Sequence, residues 1–352
     1  MAETVRVLIT GTTGFVGSHL IPKLLAKGYD IYSLERYVTE SCVLGQRKGV
    51  KTVFGDLRDG YSIKRIIHGV RPNIVIHLAG ISPVSYSYDH PQEVVETNFL
   101  GTVNLAEACL HEVDNFKQFL FSSTSETYGN GPNPKSEETP QNPNSPYAVS
   151  KVTAEKYLLY LLSAYCFPLT ILRNFNTYGR KNTANFVVER IISQMLTGKQ
   201  VELGDPKPIR DLVYVDDHVN AYLSCIENPE AVGQIFNFST GVGTSIKQLS
   251  DLIANLTNFK GKVFWNTMAH ERPLDIQAIV GDYRKAERIL GWKPKFKLED
   301  GIRTTIDFWR AKLAQPFRRG SIADGCRSVS PPECEVPEKK GFLEPVRCTS
   351  TN

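Results

Sequence analysis

The stretch ITGTTGFVGSHL, residues 9–20, sets three glycines, Gly11, Gly14 and Gly17, between an apolar run and an amphipathic segment. The run before it, VRVLIT (5–10), reads as a strand, and VGSHLIPKLLAKG (16–28) reads as a helix closed by Gly28. Glycines at such a junction let the chain turn tightly and let its backbone approach a ligand, while the helix N-terminus offers oriented N–H groups to negative charge. Spaced glycines alone are a weak signal. In a strand–turn–helix setting they predict a dinucleotide site, with Phe15 and Val16 opening the helix beside the pyrophosphate.

The same rhythm continues outward. YDIYSLE (29–35) and KTVFGDL (51–57) read as strands, a helix follows near 61–69, and NIVIHLAG (73–80) reads as a buried strand. PQEVVETNFLGTVNLAEACLHE (91–112) is expected as one long helix and FKQFLFSS (116–123) as the next strand. Strands alternating with helices predict an α/β fold, a doubly wound parallel sheet covered on both faces. After about residue 175 the rhythm loosens. ANFVVERIISQMLTGK (184–199) looks helical, VELGDPKPIRDLVYVDD (201–217) looks like strand–turn–strand, and SIKQLSDLIANLT, AERILGW and LEDGIRTTIDFWRAKL are expected as helices. The expected organisation is a nucleotide-binding domain over 1–175, with its sheet completed by later segments, and a smaller mixed substrate lobe over 176–314. Residues 315–352 are rich in Pro, Ser, Glu and Arg and are expected to stay disordered.

Composition narrows the function classes. Hydrophobic residues make up 41% and charged residues 22% of 352, ordinary for a soluble globular protein with a real core. A net charge of +4 is too small and too dispersed to argue for nucleic acid or a membrane surface. The longest apolar runs, such as YLLYLLSAY (157–165), fall far short of a membrane span, and a strand pattern under way by Val5 leaves no room for a signal peptide. Cys42, Cys109, Cys166 and Cys225 sit singly in apolar or mixed segments, which reads as reduced, buried thiols of a cytoplasmic protein. Cys326, Cys334 and Cys348 show no CxxC or Cys/His pairing, so no metal is expected.

Four stretches carry chemistry. Glu35 ends the second strand, 18 residues past Gly17, where a carboxylate can accept hydrogen bonds from the adenosine ribose and favours NAD; its neighbour Arg36 could pair with a 2′-phosphate, which keeps NADP open. Asp56, in GDLRD (55–59), is placed to reach an adenine amino group. SSTSETYG (122–129) crowds small hydroxyl residues around one carboxylate, Glu126, and SPYAVSK (145–151) puts Tyr147 and Lys151 at i and i+4 on one helix face. An ammonium beside a phenol lowers the phenol's pKa and makes it a general base or acid near neutrality. His77, at the end of a buried strand, reads as structural.

Taken with HLAG, RNFNTYGR and RDLVYVDD, these motifs resemble an extended short-chain dehydrogenase/reductase of the nucleotide-sugar epimerase and dehydratase type, over about residues 5–313. The resemblance implies a Rossmann-type sheet, NAD or NADP held by the glycine turn and lined by Leu57, Leu78, Ala79 and Gly80, and a nucleotide-diphospho-sugar substrate. It implies Thr124 as the hydroxyl partner of the sugar O4, Tyr147 as base and Lys151 as its tuner. Ser125, Asn176, Arg210 and Arg272 would hold the substrate, the two arginines at its diphosphate. The helices GTVNLAEACLHE and AVSKVTAEKYLLYLLSAY would pair two subunits into a homodimer or homotetramer. In simple 4-epimerases of that type the position of Glu126 usually carries no acid. The TSE of residues 124–126 is similar to the GDP-mannose 4,6-dehydratase motif, lacks the Asp that dTDP-glucose dehydratases have at Ser125, and also occurs in UDP-glucuronate decarboxylases. Decarboxylases have Arg-Ser where this chain has Arg210–Asp211. The expectation is therefore a 4,6-dehydratase, with a 4-epimerase or a decarboxylase as alternatives on the same scaffold. A cofactor-sensing binding module is the non-enzyme alternative, disfavoured because Thr124, Tyr147 and Lys151 are all present.

Overall fold

The computed structural model describes residues 4–37, 48–267 and 274–314; Arg272, Cys42 and the stretch 315–352 lie outside them. Seven strands form one parallel sheet: β1 (Arg6–Thr10), β2 (Asp30–Glu35), β3 (Val50–Phe54), β4 (Ile74–His77), β5 (Gln118–Thr124), β6 (Leu169–Asn174) and β10 (Gln234–Phe238). Their order is β10-β6-β5-β4-β1-β2-β3, so the chain reverses direction of winding on either side of β1. The crevice between the C-terminal ends of β1 and β4 is thus the topological switch point where such sheets bind ligands.

Alternation along β1 shows why the sheet needs two covers. Val7 and Ile9 pack with Leu20, Ile21 and Leu24 of α1 (Phe15–Ala26), whereas Leu8 packs on the other face with Ile63 and Ile67 of α2 (Gly60–Val70). Asp59 caps α2 by accepting from the Ser62 amide at 3.1 Å, so a polar loop becomes a helix start at the expected place.

One expectation is corrected. Residues 91–112 are not one regular helix. Past α3 (Val84–Asp89), α4 (Pro91–Val95) passes through a π-helical turn, Glu96–Leu100, into α5 (Gly101–Glu112). Gly101 lies hard against Leu57, where an added Cβ would come within 2.9 Å of the leucine Cβ, and the wider turn buries Asn98. The stretch 201–217 holds two strands about a turn, as expected, and they join different sheets. It supplies β8 (Gln200–Glu202), which pairs with β12 (Lys262–Phe264), and β9 (Ile209–Tyr214), which sits among β7 (Asn176–Tyr178), β11 (Gly243–Ser245) and β13 (Ala278–Ile279). The carbonyls of Pro206 and Pro208 accept from Lys247 and Ile246, docking the connection on the start of α9 (Ile246–Thr257) and separating the strands. Val215 already begins α8 (Val215–Cys225).

The remaining helices are α6 (Pro146–Tyr165), α7 (Val187–Thr197), α10 (Arg284–Leu290) and α11 (Leu298–Ala314). Among the described residues no helix is long and apolar enough to cross a membrane. Cys109 and Cys225 are buried free thiols, but Cys166 is exposed: it closes α6 in the left-handed conformation (φ 54°) instead of entering the core.

One buried ion pair ties helix to sheet. Arg173, at the end of β6, meets Glu155 of α6 at 2.7 Å, with side chains 4% and 0% exposed. Glu155 also accepts from Gln141 and Ser123, and Arg173 donates to the Tyr128 hydroxyl and the Glu137 carbonyl. Glu155→Leu strips a buried guanidinium of its counter-charge, which typically costs about 3–5 kcal/mol. Urea unfolding should show that loss as a lower midpoint, and an unchanged midpoint would contradict it.

Candidate active site

At the switch point the glycines do what their spacing suggests. Gly11 adopts φ +72°, and a Cβ there would lie 2.8 Å from the Ala79 amide nitrogen; a Cβ on Gly17 would overlap the Gly11 carbonyl. Backbone therefore packs on backbone, and the concavity above the turn is one that side chains would fill. Helix α1 begins at Gly14 with no side-chain cap and no acid in its first turn, leaving its first N–H groups for an anion. Phe15 and Val16 are half-buried at this helix start. These residues fit the pyrophosphate of a dinucleotide.

The adenosine end is more crowded than the sequence implies. Glu35 is buried and accepts from the Thr12 hydroxyl, from Ser33 at 2.6 Å and from Thr13 at 3.5 Å. Hydroxyl donors already surround it, the chemistry that a ribose would offer. Arg36 is exposed and stacks over Tyr37 at 4.5 Å. Asp56 meets Arg58, two residues on. It accepts from Arg58 at 2.7 Å, and the Arg58 side-chain hydrogen bond holds its carboxyl below the usual range. Leu57 packs on Gly101, while Leu78 and Ala79 carry the backbone against which Gly11 rests. Gly80 lies against Asn98, where an added Cβ would be 3.0 Å from Oδ1.

The other half of the site hangs from β5. The strand ends at Thr124, and a short 3₁₀ turn, Ser125–Tyr128, follows, its first amides drawn to the threonine (Glu126 N to Thr124 Oγ1, 3.2 Å). Ser145 caps α6 by accepting from Ala148 at 3.1 Å, so Tyr147 falls in the helix's first turn and Lys151 one turn on. Both side chains are buried. The Tyr147 phenol hydrogen-bonds Thr124 and feels the charge of Glu126. Thr124 and Glu126, neighbours at the end of β5, are thus brought together with Tyr147 from the start of α6.

The electrostatics differ from expectation. Burial pushes the Tyr147 phenol above its ordinary value, the Thr124 hydrogen bond lowers it, and Glu126 raises it further. The Lys151 ammonium donates to the Ser122 carbonyl at 2.9 Å and lies 4.8 Å from the Phe121 ring, and burial brings it down to about 8. Lys151 is thus not among the groups that shift the Tyr147 phenol.

Asn98 escaped the sequence reading. From the π turn it donates to the Ile81 carbonyl and to Ser150 Oγ and accepts from the Ile81 amide; Ser150 in turn donates to the Tyr147 carbonyl. It braces the first turn of α6 against the loop after β4. Its sole sequence signal is an asparagine in mid-helix. His77 is structural, as read. Thr102 donates to the Asn98 carbonyl, so it accepts from Nε2, while Thr10 faces Nδ1 at 2.7 Å; burial brings the ring down to about 3 and keeps it neutral.

Of the residues expected to hold the substrate, Ser125 is buried in the 3₁₀ turn and Asn176 stands on β7 with a buried Oδ1 that has no protein partner among the described residues. Arg210 is not an open fork. Its guanidinium donates to the Ile276 carbonyl at 2.7 Å and meets Asp275 at 3.4 Å. Asp211 points away from it, gathering Thr240, Gly241 and Gly281 amides. Among the described residues no cluster of His, Cys, Asp or Glu could hold a metal ion.

The model of the GDP-mannose 4,6 dehydratase family matches residues 8–305. The chain belongs to that family. The human dTDP-D-glucose 4,6-dehydratase is 30% identical over 325 residues, covering 87% of this chain and 90% of that protein. The UDP-glucose 4-epimerase of Thermotoga maritima, solved with UDP-glucose, is 32% identical with a TM-score of 0.81, covering 88% of this chain and all of that one. The Thermus thermophilus UDP-glucose 4-epimerase, solved with NAD, is 32% identical with a TM-score of 0.78, covering 87% and 99%. The family member described here is therefore an extended short-chain dehydrogenase/reductase of the nucleotide-sugar type.

Gly17→Ala should abolish dinucleotide binding in a fluorescence titration. Gly69→Ala, in α2 where an added methyl meets nothing within 4 Å, should bind normally and gain about 0.5–1 kcal/mol of stability. Equal binding by both variants would contradict the role of the turn.

Proposed function

We propose that this family member is a nucleotide-diphospho-sugar 4,6-dehydratase using NAD. The observation that carries the reading is the Glu126 carboxylate, two residues past Thr124 and close enough for its charge to act on the Tyr147 phenol. Neither proton transfer at O4 nor hydride transfer needs that carboxylate. Loss of a proton from C5 does.

Thr124 holds the sugar O4 by its hydroxyl, and the Tyr147 phenol oxygen takes the O4 proton. Bound NAD would take the hydride from C4, return it at C6 with no net redox change, and bring the positive charge that a buried phenol needs in order to ionise. The new 4-ketone acidifies C5. Glu126 then removes the C5 proton and delivers a proton to the C6 hydroxyl, which leaves as water. A proton returns to C5 as C6 is reduced. Buried donors and acceptors act here in low dielectric, where they count for more than in water. Glu35 supports NAD, and Arg36 keeps NADP as the alternative cofactor. The second reading is a 4-epimerase, favoured by the two epimerase structures at 32% identity. Arg210–Asp211 argues against the decarboxylase.

Purified protein should convert a member of a panel of UDP-, dTDP- and GDP-sugars to a product lighter by one water. Glu126→Gln should still form 4-keto sugar and reduced nicotinamide but eliminate water about 10²–10⁴-fold more slowly. Tyr147→Phe should fail at hydride transfer. Inversion at C4 without water loss, or wild-type elimination by Glu126→Gln, selects the epimerase.

The same reading carries a homodimer or homotetramer of a cytoplasmic enzyme, its thiols reduced. Leu100, Val149, Tyr160 and Tyr165 remain 46–53% exposed on and beside α5 and α6, an apolar strip suited to a second copy. Sedimentation at micromolar concentration should give a dimer or tetramer; monomer alone would contradict it.

A further inference from the structure

Lys181 has no role in the site as described, yet its surroundings are unusual. It lies in the loop between β7 and α7 and is only 6% exposed. Its ammonium is clamped between two aromatic rings, 3.5 Å from the centroid of Phe186 and 4.4 Å from that of Phe15. Phe15 is the first residue of α1, directly after the Gly14 cap, so the clamp stands at the helix start whose N–H groups are uncapped. Among the described residues the ammonium has neither a hydrogen-bond acceptor nor a carboxylate within ion-pair range. Glu189 of α7 acts on it only through its field, and Glu189 is itself occupied by the Gly179 amide at one oxygen. The neighbouring Arg180 is paired with Asp216, and that pair acts on His19 of α1.

We propose that Lys181 is a further cofactor-binding residue, its ammonium an anion contact for the phosphates of the dinucleotide at the start of α1. The inference rests on the dinucleotide reading of the glycine turn. Aromatic faces steady a cation but accept no strong hydrogen bond, so a buried ammonium held this way lacks the partner that buried charge requires. A phosphate supplies it, completing the half-site that the uncapped helix begins. The consequence for the fold is that a residue arriving after β7 grips the ligand of β1 and α1.

Linkage gives the contact a pH signature. Burial brings the free ammonium down to about 8, and Glu189 partly offsets this. A bound phosphate would raise it again. Affinity is then full below about pH 8, where the ammonium is charged in both states, and falls as pH rises above the free value.

The test is equilibrium titration of ADP-ribose, adenosine and uridine diphosphate into wild type, Lys181→Met and Lys181→Arg, after any co-purified dinucleotide has been exchanged out. Lys181→Met removes a charge without removing volume, and its ligand-free melting temperature reports that it folds. It should bind ADP-ribose about 10–100-fold more weakly, the range of a charge-assisted hydrogen bond, and adenosine within about two-fold of wild type. Lys181→Arg should recover most of the loss. Wild-type affinity for ADP-ribose should decline between pH 7.5 and 9.5, and that decline should flatten in Lys181→Met. Unchanged ADP-ribose affinity in Lys181→Met overturns the proposal, as does a loss confined to uridine diphosphate, which would place the ammonium at the substrate's phosphates. Wild type that binds no ADP-ribose overturns the dinucleotide reading and this inference with it.

Discussion

The site depends on the buried pair of Glu155 and Arg173. Glu155 belongs to the helix that carries Tyr147 and Lys151, and Arg173 to the strand beside the one that ends in Thr124. Between them they draw in Ser123, Tyr128, Gln141 and the Glu137 carbonyl. Tyr128 closes the turn that holds Glu126 and also donates to Asn237 of β10 at 2.6 Å. One pair of opposite charges thus sets the spacing between helix, strand end and turn. Fully desolvated charges tolerate little displacement, because each ångström of separation weakens a strong interaction while the desolvation cost stays. The geometry of the threonine, the carboxylate and the phenol inherits that rigidity.

The cofactor side is held differently, by exclusion of volume. Gly11 and Gly17 allow the turn to touch the backbone after β4, and the hydroxyls of Thr12, Thr13 and Ser33 gather at Glu35 beneath it. The two halves meet through Asn98. Its side chain bonds Ile81 of the loop after β4 on one side and Ser150 of α6 on the other.

Several ionisable groups here are held away from their ordinary values by burial. Tyr147 is pushed up, while Lys151 and Lys181 are brought down to about 8. Burying cations in this way works against stability, since the unfolded chain binds their protons more readily below the ordinary lysine range. Stability sacrificed beside a binding crevice is the pattern expected where a ligand later supplies the missing charge.

The sequence by itself determined the parallel α/β sheet, the glycine turn and the identity of the residues that cluster around it. Those properties are local: strand and helix periods, a turn that only glycine can make, a tyrosine and a lysine four apart. His77 was legible as structural for the same reason, a polar residue closing an apolar strand. Tertiary structure alone decided the rest. No local pattern marks a π turn in the middle of 91–112, because it arises where Gly101 meets Leu57 from another segment. Nor does any pattern tell that β8 and β9 part company, that Arg210 turns to Asp275 and Ile276, or that Lys151 faces the Ser122 carbonyl instead of the phenol. Each outcome is a choice among partners distant in the chain, settled by which contacts satisfy buried polar groups, and such competition has no period for a sequence to display.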